Sequence, residues 1–325
     1  GPDFLRSPDS DPPLNDKVHF DFAVLGAGIM GLETARLLAA EKQRVLLIDR
    51  QPPAREASWA AAGILTTRGC RQPSSQSREL YVRSIQAYPE WLDQLSRESG
   101  LPIDLTRGGD YAFMLSPVAA DEFQRQLDAE RAAPCETLEE VPDHLAPLTL
   151  PAGGRLFFFP AESYVNNRQL LEALSAIVEK NPLIEKRYDL PHLSFDADHP
   201  RISLAVDGRH WTADRVAICS GVWSGSILSR LGWIAPLTPV KGEIYQLPRC
   251  LPGSAMIHID DTYYLVPRGA TTLAGATSKL DCWDKDLTET GRCELENVFR
   301  QILPSFHIPP DAPGWSGIRP MTPDG

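Results

Sequence analysis

Residues 26–31 read Gly-Ala-Gly-Ile-Met-Gly, the GxGxxG spacing of a diphosphate cradle. Gly26 permits a tight turn, Gly28 lets the backbone approach a pyrophosphate, and Gly31 allows a helix to pack closely on a strand. A helix that starts at Ile29 and Met30 offers unpaired N–H groups and a partial positive charge to the phosphates. Asp49, at the end of the next apolar run, can accept hydrogen bonds from ribose hydroxyls, and Arg50 beside it joins the cofactor-binding candidates. An acid there repels a 2′-phosphate, which disfavours NADP. The motif itself leaves FAD and NAD both open.

The elements needed to position these residues are legible. His19–Leu25 reads as a short buried strand, Met30–Lys42 as an apolar-periodic helix and Val45–Ile48 as a second strand. That β–turn–α–β order is the nucleotide-binding half-unit. Further on, Ser77–Ser99 is helical, with Pro89 expected to kink or split it, and Val118–Ala132 and Gln169–Lys180 are helical too. Residues 133–153 read as loop. Tyr111–Leu115, Ile202–Val206, Trp211–Ala213, Val216–Cys219, Glu243–Leu247, Tyr263–Val266 and Thr272–Gly275 are strand-like, and Leu287–Leu303 is helical. Repeats and low-complexity tracts are not evident.

Composition narrows the function. The chain has 325 residues, 42% apolar and 23% charged, with a formal charge of −11, and so is expected to bury a globular core. It shows no Lys/Arg run of the kind nucleic-acid binding needs, and its acidity disfavours anionic membrane surfaces. No apolar run approaches the ~20 residues of a membrane span. The six cysteines show no CxxC pair and the seven histidines are scattered, so no metal site is expected, and reduced thiols in a cytoplasmic protein are. Residues 1–17 hold four prolines and four aspartates and read as a flexible tail, with Gly1-Pro2 resembling a protease-cleavage scar.

A family resemblance decides between the cofactors. Residues 56–64 (EASWAAAGI) resemble the flavin-facing loop of the D-amino-acid oxidase superfamily, most closely its glycine oxidase (ThiO-type) branch. In the same order follow VAICSGVWS (216–224), PVKGE (239–243), YLVPR (264–268), LAGAT (273–277) and WSGIRPMTPDG (315–325), similar to that branch's conserved segments. The resemblance spans about Phe20 to Gly325. It implies an α/β fold: a Rossmann-like, glutathione-reductase-like FAD-binding domain with an interleaved α+β substrate domain containing a mostly antiparallel sheet. It places residues 18–80, 152–226 and 317–325 in the first domain, and 81–151 and 227–316 in the second.

The resemblance also implies roles. Ser58, Ala61, Ala62, Gly63 and Ile64 would lie against the flavin, with Ser220, Gly221 and Trp223 returning to it. Arg319 matches the arginine that binds the substrate carboxylate, a task suited to a guanidinium's two parallel charge-assisted bonds. Tyr264 matches a tyrosine touching the same carboxylate, and Arg268 reads as structural. Ser278 stands where the branch has methionine, implying a wider or more polar pocket. The family pattern continues past Gly325 with a GHxxxG-like turn and helix, so the expectation is a chain cut from a longer one or an incomplete flavin site. The implied activity is FAD-dependent oxidation of the C–N bond of a small amino acid or amine, with O2 as acceptor. The alternatives are a dehydrogenase with another acceptor, a flavin-binding or partner-binding protein without turnover, and an NAD-dependent dehydrogenase. Homo-oligomers are common in the family, which leaves a homo-oligomer open here; the sequence itself does not give the oligomeric state.

Overall fold

The computed structural model describes residues 18–66, 68, 75–130, 135–190, 194–196, 202–206 and 209–323. The expected tail, Cys70 and the last two residues of the WSGIRPMTPDG motif lie outside them. In chain order the elements are β1 (Val18–Leu25), α1 (Ile29–Ala40), β2 (Val45–Ile48), α2 (Ala57–Ala60), β3 (Ile64–Leu65), α3 (Ser75–Ser99), β4 (Leu105–Thr106), β5 (Asp110–Met114) and α4 (Pro117–Glu130). Then come β6 (Glu136–Leu138), β7 (Arg155–Phe159), β8 (Ser163–Val165), α5 (Asn167–Lys180), β9 (Ile184–Arg187), β10 (Ser194–Asp196), β11 (Ile202–Val206), β12 (Arg209–Ile218) and α6 (Ser224–Arg230). The last are β13 (Thr238–Pro248), β14 (Met256–Ile259), β15 (Tyr263–Arg268), β16 (Thr271–Gly275), β17 (Lys279–Leu280), α7 (Glu289–Phe299) and β18 (Gly314–Met321).

Among the described residues the strands form three sheets. The first runs β10-β11-β12-β1-β2-β9, parallel from β12 to β9 with an antiparallel edge. Its interior strand β2 is buried along its whole length, as a parallel strand covered on both faces must be. Helices α1, α5 and α3 pack their apolar stripes on one face, through Leu32, Leu171, Leu174 and Leu95. Leu204, Trp211 and Ile227 close the other.

The second sheet runs β17-β13-β16-β15-β14-β5-β7-β6, with β18 also on β13. Alternation along each strand divides its side chains between two faces. Tyr245 and Leu265 join Leu295 and Phe299 of α7 on one face, while Ile244, Tyr264 and Val266 share the other. That second face looks toward the first sheet at one end and carries α4 through Phe123, Phe157 and Phe159 at the other. Between these ends lies buried Arg68, which donates to Glu162 (2.8 Å), Asp110 and Asp261. The third sheet, β3-β8-β4, is a small bridge.

Arg155–Phe159 and residues 317–321 pair in the second sheet, on β5 and β13. Several expected elements are corrected. The two strands expected at Trp211–Ala213 and Val216–Cys219 are the single strand β12, held in register along β1 and ending at Ile218, one residue before Cys219. Helix α3 passes through Pro89 without splitting, because Trp91, Leu92 and Leu95 anchor the following turns in the core. Thr288 starts α7 by accepting from the Gly291 N–H (3.0 Å), and the helix ends at Phe299, short of Leu303. Residues 133–153 contain β6 and a 3-10 turn at Asp143–Leu145.

Candidate active site

The glycine turn has its sequence-assigned tasks in space. Gly26 sits at φ +107°, a conformation open to glycine, and a Cβ there would stand 2.4 Å from the Cys219 carbonyl oxygen. At Gly31 a Cβ would come within 1.7 Å of the Gly26 oxygen, so α1 can lie on β1 only because none exists. The Ile29 N–H donates to Ser58 Oγ (3.1 Å). Among the described residues nothing accepts from the N–H groups of Gly28, Met30 and Gly31. These are the unpaired donors an incoming phosphate can satisfy.

Asp49 does more than the ribose role expected of it. Its carboxylate accepts from the N–H of Ala27 (2.6 Å) and of Gln51 (2.9 Å), and so holds the glycine turn itself. Burial pushes its pKa above the ordinary carboxylate value, and the two N–H donors pull the other way. A carboxylate has about four lone-pair positions, so capacity for a ribose hydroxyl remains. Arg50 lies over the Trp223 ring at 3.8 Å and pairs with Glu56 at 3.0 Å.

Two cavities meet at this helix end. One, of about 410 Å³, runs from Gly26, Gly28, Met30, Asp49 and Arg50 to Ser220, Gly221 and Trp223. The other, of about 340 Å³, is walled by Ala61, Ala62, Gly63, Ile64, Tyr264 and Arg319. Ile29, Ala57 and Ser58 border both. Two lobes joined beside a diphosphate cradle fit a dinucleotide whose halves diverge from its phosphates, so the residues present fit FAD. Of the sequence-assigned cofactor residues, Gly31 alone is off both walls, consistent with its packing task.

The substrate-side residues come from the second sheet. Arg319 on β18 donates to the Thr277 carbonyl oxygen (3.3 Å) and otherwise faces the smaller cavity with Tyr264 on β15. A Cβ at Gly275 would stand 3.0 Å from the Tyr264 ring, so the bare glycine on β16 seats that ring. Burial raises the Tyr264 phenol above the ordinary tyrosine range, with Arg319 acting in opposition; the hydroxyl is a neutral donor. Ser278 is a correction: it is exposed and lines neither cavity, because Ala276 takes the wall position and Thr277 turns inward to the Glu243 N–H (3.0 Å).

Sequence reasoning missed several residues. β18 divides the two lobes by alternation: Gly317 and Arg319 border the smaller cavity, Ile318 and Pro320 the larger. Asn167, the first residue of α5, donates Nδ2 to the carbonyl oxygens of Ser58 (2.9 Å) and Trp59 (3.1 Å) and so fixes the flavin-facing loop. The pair Asn166-Asn167 just before a helical run is the one local signal for it, as a cap; the neighbouring Asn166 does accept from the Gln169 N–H.

A family model described as FAD dependent oxidoreductase (DAO) matches residues 21–325. The chain belongs to this family. It is a flavoprotein oxidoreductase, and its cofactor is FAD. It is 29% identical over 313 residues to the glycine oxidase of Pseudomonas aeruginosa, covering 93% of this chain and 83% of that one. Its identity to the glycine oxidase of Geobacillus kaustophilus is 26% over 317 residues, 94% of this chain and 82% of the relative. The crystal structure of glycine oxidase from Geobacillus kaustophilus superposes with a TM-score of 0.85 at 24% identity, over 95% of this chain and 85% of that one. The Rossmann-like α/β fold is thereby shared. Among the described residues no helix is long and apolar enough to cross a membrane.

Proposed function

We propose that this protein oxidises the C–N bond of a small amino acid, passing the electrons through FAD to O2. Membership of a glycine-oxidase-like family supports amino-acid or amine oxidation in general. The single observation that carries the finer reading is Arg319 beside Tyr264 in a cavity that joins the diphosphate cradle. Arg319 takes the substrate carboxylate with two parallel charge-assisted bonds, and the Tyr264 hydroxyl donates a third. This clamp holds Cα in one orientation, which is the proximity contribution of the protein. Among the described residues no histidine, lysine or carboxylate lines the smaller cavity, so the proton of the substrate ammonium leaves to water before the C–H bond breaks. FAD, held at the glycine turn and along residues 61–64, would supply the redox chemistry, taking a hydride from Cα and passing two electrons on to O2. The imine product hydrolyses to a keto or aldehyde acid, with release of ammonia or amine, and O2 becomes H2O2. Ala60, Ala62, Ile64, Leu65 and Ile244 make the surrounding wall apolar.

The test is anaerobic addition of an amino-acid panel to the FAD-loaded protein, followed by absorbance. Bleaching of the flavin band by an amino acid, with H2O2 formed on readmission of air, supports the reading. Flavin that no amino acid or amine bleaches refutes turnover. Bleaching reversed by a dye and not by O2 assigns a dehydrogenase.

A further inference from the structure

Arg168 and Arg268 stand behind the wall of the smaller cavity, and among the described residues neither has a carboxylate partner in ion-pair range. Arg168, in the first turn of α5, places its guanidinium over two rings, 3.7 Å from the centre of Trp59 and 4.1 Å from that of Trp315. Its Nη2 is buried with no acceptor. Arg268, at the end of β15, donates Nη2 to the Ala62 oxygen (2.8 Å) and Nη1 to the Oδ1 atoms of Asn166 (3.0 Å) and Asn167 (3.3 Å). Its Nε is buried without an acceptor. Burial depresses both pKa values, and the charge of Arg168 depresses that of Arg268 further, while Tyr164 and Asp104, the latter from beyond ion-pair range, oppose the shift at Arg268. A cation in the first turn of a helix is also opposed by the helix dipole.

Two like charges, desolvated, partnered by neutral oxygens and aromatic faces, cost stability in the resting protein. Arg268 lies one backbone layer from the cavity: a Cβ on Gly63, which lines it, would be 3.5 Å from Arg268 Nη2, and Arg168 directly follows Asn167, which also lines it. Neither arginine lines the cavity itself, so neither can clamp a substrate. What remains is a field acting on the group that fills the cavity.

We propose that Arg168 and Arg268 are a paired positive wall behind the flavin loop that stabilises negative charge on the reduced ring and so raises the FAD reduction potential. This rests on the FAD-dependent reading above. The balance is simple: the Cα–H bond breaks, an N5–H bond forms, the substrate leaves as an iminium, and the ring gains one negative charge. A fixed, desolvated cation stabilises such developing charge. Sulfite adds to flavin N5 as a nucleophile and leaves the same extra charge, so its affinity reports the field without turnover.

The experiment uses the FAD-loaded full chain, normalised to bound flavin, with sulfite titration and potentiometry. Arg168→Met is the deciding variant, because Arg168 makes no hydrogen bond that holds the loop, whereas Arg268 does. The expected result is about a tenfold weaker sulfite affinity in Arg168→Met, a midpoint potential lower by about 30 mV for the two-electron couple, and recovery in Arg168→Lys. Arg168→Gln serves if the methionine variant does not fold. A neutral variant matching wild type in both readouts overturns the inference, and so does a lysine variant as impaired as the neutral one. Flavin-loaded wild type that forms no sulfite adduct also overturns it, while leaving the FAD reading intact. Wild type that binds no FAD overturns both.

Discussion

Replacing Arg319 by methionine removes the guanidinium and keeps most of the side-chain volume. Two charge-assisted bonds to a substrate carboxylate are lost, each worth about 1.5–3 kcal/mol. Arg319 is solvent-exposed on one side, which screens the pairing toward the low end of that range. About 3–4 kcal/mol of transition-state stabilisation therefore goes, or roughly a hundredfold to a thousandfold in kcat/KM. Arg319→Lys restores the charge but not the planar fork, and should recover about a tenth of that loss or somewhat more. The assay compares each variant on an amino acid and on the matching amine without the carboxylate. The amine should lose less than about threefold, since the clamp has nothing to hold. Flavin content should not change, because among the described residues the one protein group bonded to the Arg319 side chain is the Thr277 carbonyl. An equal loss on both substrates would refute the argument, as would a loss under threefold on the amino acid.

Three other perturbations have definite outcomes. In Gly317→Ala the new Cβ would stand 2.5 Å from the Cβ of Ala60, pushing α2 off β18; overpacking of this kind costs about 1–3 kcal/mol, and FAD affinity measured by fluorescence quenching should fall along with the melting temperature. Arg68→Met leaves Glu162 buried without its cation and Asp110 with His258 alone at 2.7 Å, a loss of about 3–5 kcal/mol; a change below 1 kcal/mol in urea unfolding contradicts this reading. The Asp284 carboxyl is held down to about 2 from 3.8, first by Lys241 and then by Cys282. A depressed carboxylate stabilises the fold fully above its unfolded value and loses that contribution as pH falls through about 2. The melting-temperature gap between wild type and Asp284→Asn should thus be constant above pH 5 and close below pH 2, and a gap that persists there rules this out.

Local patterns were sufficient for the nucleotide half-unit because each of its tasks is carried by one residue type at one spacing. Gly26 needs a left-handed turn, Gly31 needs a missing Cβ, and Asp49 must end the neighbouring strand; all three can be read off consecutive or nearly consecutive positions. Arg319 and Tyr264 were visible through their surrounding segments, and a guanidinium has few better uses than a carboxylate. Ser278 was misplaced by the same kind of reasoning. A strand's side chains alternate, and which of Ala276, Thr277 and Ser278 faces the cavity depends on where β16 ends, a register that pairing with β13 and β15 decides.

The amino-acid order by itself determined the diphosphate turn, the helix that follows it and the family to which the chain belongs. Those features depend on backbone conformation and short-range periodicity, which neighbouring residues impose. Only the tertiary structure decided that β18 separates two lobes, that Asn167 holds the loop at Ser58 and Trp59, and that Arg168 and Arg268 lie together with no carboxylate in ion-pair range among the described residues. The bonds from Asn167 span 109 and 108 positions, and burial and charge balance become defined only when such distant segments pack.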